Sequence, residues 1–185
     1  MTKISEKDLT RNLRVFLESE HLIDTATSHF NGDDEEKSDI ELVLISTLWR
    51  GVNSKKLYIE AKSHHSKDSQ NTINKIFGQL LKETGKRTLD KNRECLAILF
   101  PSESAKWIDN KGKTETRIDG IEYYRRGFSR INSQVFISFG ELVGAKYILS
   151  FNSSLNELYV FEWRTFLESN STPILTITNS SSQKK

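Results

Sequence analysis

Three residues of this chain have the types and spacing to do chemistry together: Asp39, Glu60 and Lys62. Glu60 and Lys62 lie two apart in KLYIEAK (56–62), a run that reads as a strand. Strand side chains alternate between faces, so Leu57, Ile59 and Ala61 share one face and Tyr58, Glu60 and Lys62 the other. The acid and the amine therefore enter the same space, about 6–7 Å apart along the strand. Asp39 opens the preceding apolar run, DIELVLIST (39–47), which also reads as a strand. If the two runs pair as a hairpin about the connector 48–55, Asp39 meets Glu60 and Lys62 at the far end of the ladder. Two carboxylates at short range repel each other, and a hard divalent cation such as Mg2+ or Mn2+ resolves that repulsion. The backbone carbonyl of Ala61 would complete the protein ligands and leave positions for water and a substrate phosphate. Cation-bound water ionises more readily, and Lys62 is placed to orient it or to stabilise developing charge. The chemistry so assembled is phosphodiester hydrolysis. Competing readings stand beside it: an ion-paired couple on a solvated strand face for Glu60 and Lys62, and a strand-start or turn residue for Asp39.

The elements that must position these residues follow from periodicity. Leu9, Leu13, Phe16 and Leu17 mark an amphipathic helix over 5–20, with Ser5 as a candidate cap and Asp8 in the first turn. NGDDEEKS (31–38) is a polar, turn-forming break before the two strands, and SKDSQNT is another after them. A second helix is expected over 70–86, with Ile73, Ile76, Phe77, Leu80 and Leu81 on one face. ECLAILF (94–100) reads as a fully buried strand stopped by Pro101. The order helix, two strands, helix, strand predicts a mixed α/β core. Beyond it, SESAKWIDN reads as a short helix, QVFISFG, KYILSF and ELYVFEW as strands, and EWRTFLES as a closing helix. From Ser169 the composition turns to Ser, Thr and Asn. One domain over 1–168 with a flexible polar tail over 169–185 is the expectation.

Ser-Asp-Ile-Glu-Leu-Val at 38–43, followed about twenty residues later by Glu60-Ala61-Lys62 on a strand, resembles the PD-(D/E)xK nuclease superfamily. The element order over 5–100 is similar to that family's core, although Ser38 stands where its proline usually does. The resemblance implies a restriction-endonuclease-like core: a central mixed β-sheet flanked by helices. It implies a metal-dependent endonuclease hydrolysing DNA in a restriction, repair or resolvase-type role, with Asp39, Glu60 and Lys62 catalytic. It also implies accessory roles for Glu6 and Gln79. Glu6 falls on the core side of the first helix, where an acid is costly unless paired or metal-bound; the plainer reading is an acid favoured by the helix dipole. Gln79 reads on a polar face with Lys75, Lys82 and Lys86, which is equally a solvated helix face. A nuclease-like fold that binds nucleic acid without cutting it is the alternative function. A cut across both strands of a duplex would ask for two sites, hence a homodimer.

Composition bounds the rest. With 185 residues, 36% hydrophobic and 10% aromatic, the chain is unlike a disordered one. Its single cysteine, Cys95, excludes an internal disulfide and reads as a small buried hydrophobe. The N-terminus has no apolar signal region and no 18-residue apolar stretch occurs, so a cytoplasmic chain with no membrane span is expected. Residues 1–41 hold five Lys/Arg against eleven Asp/Glu, whereas 50–93 hold eleven against four. That asymmetry suits one segment holding cations and another phosphates, or two solvated faces of opposite sign. His64 and His65 read as loop residues near the phosphate path. YYRRGFSR (123–130) interleaves aromatics with Arg, as base stacking and phosphate contact require, or as a surface strand does.

Overall fold

The computed structural model describes residues 4–31, 39–45, 47–63, 69–108 and 115–179. The first helix, α1 (Glu6–Ser19), is capped by Ser5, whose hydroxyl oxygen accepts from the Asp8 N–H at 3.0 Å. Its stripe of Leu9, Leu13, Phe16 and Leu17 is buried, as the spacing predicts. A short edge strand, β1 (His29–Phe30), is followed by β2 (Ile40–Val43) and β3 (Lys56–Ala61), which pair antiparallel with Ile40 opposite Ile59. β2 is shorter than expected, although Leu44 still donates its N–H to the Lys55 carbonyl at 2.9 Å and bridges to Ile23 on the other edge. The connector is anchored by Trp49, buried with its indole N–H donating to the Leu22 carbonyl at 2.7 Å.

Helix α2 (Ser69–Lys86) then crosses the sheet and leads to β4 (Glu94–Pro101), which lies parallel to β3. β4 is buried at seven of its eight positions, as a parallel strand covered on both faces must be. Cys95 is fully buried, and burial pushes its thiol up to about 11, so it packs as a hydrophobe. A two-stranded ribbon, β5 (Ala105–Ile108) with β6 (Glu115–Ile118), stands apart from the main sheet. Two helices, α3 (Gly120–Phe128) and α4 (Ser133–Val143), precede β7 (Ala145–Asn152), β8 (Glu157–Glu162) and β9 (Leu175–Thr178). The main sheet has seven strands in the order β1-β2-β3-β4-β7-β8-β9, parallel at β3/β4 and β4/β7 and antiparallel elsewhere. One face packs on α1 with Leu57, Ile59 and Ala61; the other packs on α2, α3 and α4 with Leu96, Ile98 and Phe100. The protein is thus α/β, with a mixed sheet flanked by helices on both faces.

The second half departs from the sequence expectations for local reasons. QVFISFG forms α4, because Asn132 accepts from the Gln134 and Val135 N–H groups and Gly144 (φ +77°) closes the other end. A Cβ at Gly140 would meet the Trp163 ring at 2.4 Å, so the missing side chain lets strand-end and helix pack. SESAKWIDN carries a strand, β5, whose Ala105 and Trp107 are buried while Lys106 and Ile108 are exposed. EWRTFLES ends β8 and then turns, held by buried Trp163 and Phe166 and by Arg125, which donates to the Phe166 carbonyl at 3.0 Å. The polar stretch after Ser169 is not a tail throughout: β9 pairs with β8, and Ile177 is 6% exposed in the core. Its Thr-Ile-Thr alternation supplies one buried apolar position, enough to close the sheet edge. Leu81, assigned to the buried face of α2, is 50% exposed; about 100° per residue carries it one step past Leu80 and off the stripe. Among the described residues, no helix is long and apolar enough to cross a membrane.

Candidate active site

Asp39 is the residue before β2, and the register Ile40–Ile59 sets it directly opposite Glu60 on the face turned toward α2. One carboxylate oxygen, Oδ2, accepts from the Ala61 N–H at 2.7 Å, which locks the side chain against the end of β3. The two carboxyls lie close enough for each to shift the other's titration. Glu60 is 4% exposed and Lys62 6%, so the reading of a solvated ion-paired couple is excluded. Convergence of the trio follows from strand alternation and hairpin register, as the sequence predicts.

Electrostatics show two acids competing for one place. Burial first, then the Asp39 charge, push the Glu60 carboxyl up to about 8, against the pull of Lys62. Burial also raises Asp39, opposed by the Ala61 N–H and Lys62. Glu60 therefore holds a proton near neutrality, as an acid buried beside another carboxyl does. The second oxygen of Glu60, Oε2, is buried with no hydrogen-bond partner. Two carboxyls side by side, one with an unpartnered oxygen, are of the ligand type a hard cation takes. Among the described residues no group of three or more His, Cys, Asp or Glu is arranged to hold a metal ion. A cation placed here would have only Asp39, Glu60 and the Ala61 carbonyl as protein ligands, with water or substrate oxygens for the rest.

Glu6, at the start of α1, reaches this end of β3. Its carboxylate lies 3.4 Å from the Lys62 ammonium and 3.4 Å from the Ser63 N–H. The Lys62 carbonyl accepts from the hydroxyl of Tyr124, which is fully buried on α3 and stacked on Phe100 at 4.1 Å. Lys62 is thus held at both its backbone and its amine.

Gln79 is half-buried, with Oε1 buried and unpartnered, so it borders the packed face of α2 rather than lying on a solvated one; Lys75 and Lys82 are exposed beside it. Four residues on, Glu83 is 2% exposed and its charge adds to the upward push on Glu60. It pairs with Lys86 at 3.0 Å and with Arg87, whose guanidinium lies 4.0 Å over the Tyr58 ring of β3. Sequence reasoning missed Glu83, although it carries the signal that singled out Glu6: an acid inside the apolar arc of a helix. YYRRGFSR forms most of α3, and its Tyr123, Tyr124 and Phe128 are buried in the core, so these rings do not stack on bases. Arg125 likewise turns inward, to the Phe166 and Ser171 carbonyls. Ser38, His64 and His65 lie outside the described residues.

No protein-family model, no curated protein and no solved structure matches this chain. The functional reading rests on the geometry of the site.

Proposed function

We propose that this chain is a divalent-metal-dependent endonuclease that hydrolyses DNA phosphodiester bonds on a restriction-endonuclease-like core. The observation that carries this reading is the meeting of half-buried Asp39 with buried Glu60 and Lys62 at the end of β3, where burial pushes both carboxyls up and one Glu60 oxygen is left without a partner. The element order α1, β1, β2, β3, α2, β4 supports it, because it brings an acid from the first helix and a polar edge of the second to the same strand end.

Asp39 and Glu60, with the Ala61 carbonyl, would hold Mg2+ or Mn2+. When bound, the ion supplies Lewis-acid polarisation of the phosphate and a more acidic water. The protein's own contribution is positional. The Ala61 N–H fixes Asp39, so its carboxylate would need little reorganisation to meet a cation. Lys62 keeps its ammonium in a buried setting where its charge acts on the scissile phosphate with little screening. Glu6 holds that ammonium in place until substrate arrives.

Incubation with linear, supercoiled, single-stranded and branched DNA in Mg2+, Mn2+ or EDTA tests this reading. Cleavage of at least one substrate that depends on the ion, and is lost in Asp39→Ala and Glu60→Ala proteins that still fold, is the expected result. DNA binding without cleavage under any ion identifies a binding module on the same scaffold instead.

A further inference from the structure

Strands β3, β4 and β7 run parallel, so they begin together at one pole of the sheet and end together at the other. The site lies at the end pole, and the six residues of β3 put about 20 Å between it and the start pole. Lys55 and Arg93 stand at the start pole, each one residue before its strand. The Lys56–Glu94 register sets them side by side, and the Lys55 N–H donates to the Arg93 carbonyl at 2.7 Å. Lys91 belongs to the same turn, which the Arg93 N–H closes on the Asp90 carbonyl at 2.8 Å. Lys146, near the start of β7, reaches this turn and its ammonium donates to the Lys91 carbonyl at 2.6 Å. Cations from three strand starts are gathered at one pole.

Lys55, Lys91 and Arg93 are exposed and form no ion pair among the described residues. The acids in the same turn are engaged with neutral groups. Asp90 accepts from the Asn92 N–H at 3.1 Å, and Glu94 from the Tyr58 hydroxyl at 3.3 Å and the Asp90 N–H at 3.0 Å. Glu162, opposite Tyr147 on β8, adds one exposed acid nearby. Like charges set side by side on adjoining strands are destabilising, so this grouping is complementary to a polyanion from outside. Its backbone is fixed for the purpose, because the Asn53 N–H also donates to the Tyr147 hydroxyl at 2.8 Å. The two loops, 53–55 and 90–93, present Asn, Ser, Asp, Lys and Arg and no apolar side chain. A protein partner would need a buried apolar or aromatic anchor, and lysine is depleted at protein interfaces. A phosphate backbone asks only for well-placed cations and amide donors.

We propose that the start pole of the sheet is a phosphate-backbone contact surface for nucleic acid, formed by Lys55, Lys91 and Arg93. It lies apart from Asp39, Glu60 and Lys62 and stands whether or not they cut. Where they do, the pole holds a second stretch of the same substrate.

The test is fluorescence anisotropy in EDTA across a salt series, on two labelled duplexes of unrelated sequence, each made as DNA and as RNA. Wild type is compared with Lys55→Gln/Lys91→Gln/Arg93→Gln and with a charge-matched control, Arg14→Gln/Lys106→Gln/Arg164→Gln, whose three residues are also exposed. Thermal melting verifies that both variants fold. The expected result is binding of the pole variant weakened about tenfold or more and its salt slope reduced by about 2–3. The loss should be equal on both sequences, since phosphate contacts carry no sequence information. Whichever of DNA and RNA binds wild type more tightly is the polymer held. Unchanged affinity and slope in the pole variant, an equal loss in the control, or a loss confined to one sequence overturns the assignment. If wild type cuts DNA while the pole variant binds normally, the pole fails and the nuclease reading stands. If the pole variant loses binding but no ion supports cutting by wild type, the nuclease reading fails and the contact surface stands. A wild type that binds no nucleic acid overturns both.

Discussion

Replacing Glu60 by Gln should make the metal-free protein more stable at alkaline pH, although it removes a site residue. Glu60 titrates at about 8 in the fold against an ordinary 4.5, chiefly because it is buried and faces Asp39. The folded state therefore binds this proton more tightly than the unfolded chain. The stabilisation is fully present below pH about 4.5 and is lost as pH rises through about 8. At about 1.4 kcal/mol per pKa unit, the full cost of ionising Glu60 in place is about 5 kcal/mol. Between pH 5 and pH 8 about 3 kcal/mol of it is expressed. Gln keeps the shape and a hydrogen-bond donor to Asp39 but cannot ionise. Urea unfolding in EDTA at pH 5, 6.5 and 8 measures the difference between the two proteins, in which the other titrating groups cancel. The Gln variant should gain about 3 kcal/mol on wild type across this range, a relative shift of about 1–2 M in urea midpoint. Added Mg2+ should then stabilise wild type at pH 8 and leave the variant unmoved. Midpoints that move in parallel with pH refute the raised titration of Glu60 beside Asp39.

Lys62→Ala should lower the rate of Mg2+-dependent DNA cleavage by about a hundredfold or more, while DNA binding stays within about threefold; the reverse split in single-turnover and anisotropy measurements would assign Lys62 to binding. Glu83→Ala should destabilise the fold by about 1–3 kcal/mol in urea unfolding, because it removes a buried acid that pairs with Lys86 and Arg87 and leaves Arg87 only the longer pair with Glu41; no loss would show that the network is solvated. Ile177→Ala should cost about 2–3 kcal/mol if β9 closes the sheet, and no loss would return that stretch to a peripheral role.

How far the sequence carries depends on which physical signal each segment contains. Period-2 alternation in KLYIEAK and the apolar run after Asp39 were sufficient to bring Asp39, Glu60 and Lys62 to one strand end, because register leaves an antiparallel pair little freedom. The stripe on α1 was equally legible, and its cap at Ser5 sits where the residue type demands. The second half was harder because short apolar runs serve helix and strand alike. QVFISFG has β-branched and aromatic residues suited to a strand, yet Asn132 before it and Gly144 after it are helix signals, and the caps decided the outcome. β9 carries only Leu175 and Ile177 as apolar residues, so composition hides it, and its pairing with β8 supplies what local sequence does not. Glu83 was overlooked because helical acids are usually solvated; its partners Lys86 and Arg87, at i+3 and i+4, are the readable sign that it is not.

The central claim is that Asp39 and Glu60 form one divalent-cation site. Titration of Mn2+ followed by the paramagnetic resonance signal of the free ion, at pH 8 and without DNA, tests it most directly. Wild-type protein should remove one equivalent of Mn2+ from solution, and Asp39→Ala and Glu60→Gln should each abolish that binding. Mn2+ binding that survives both substitutions, or a wild-type protein that binds none with or without DNA, would contradict the account.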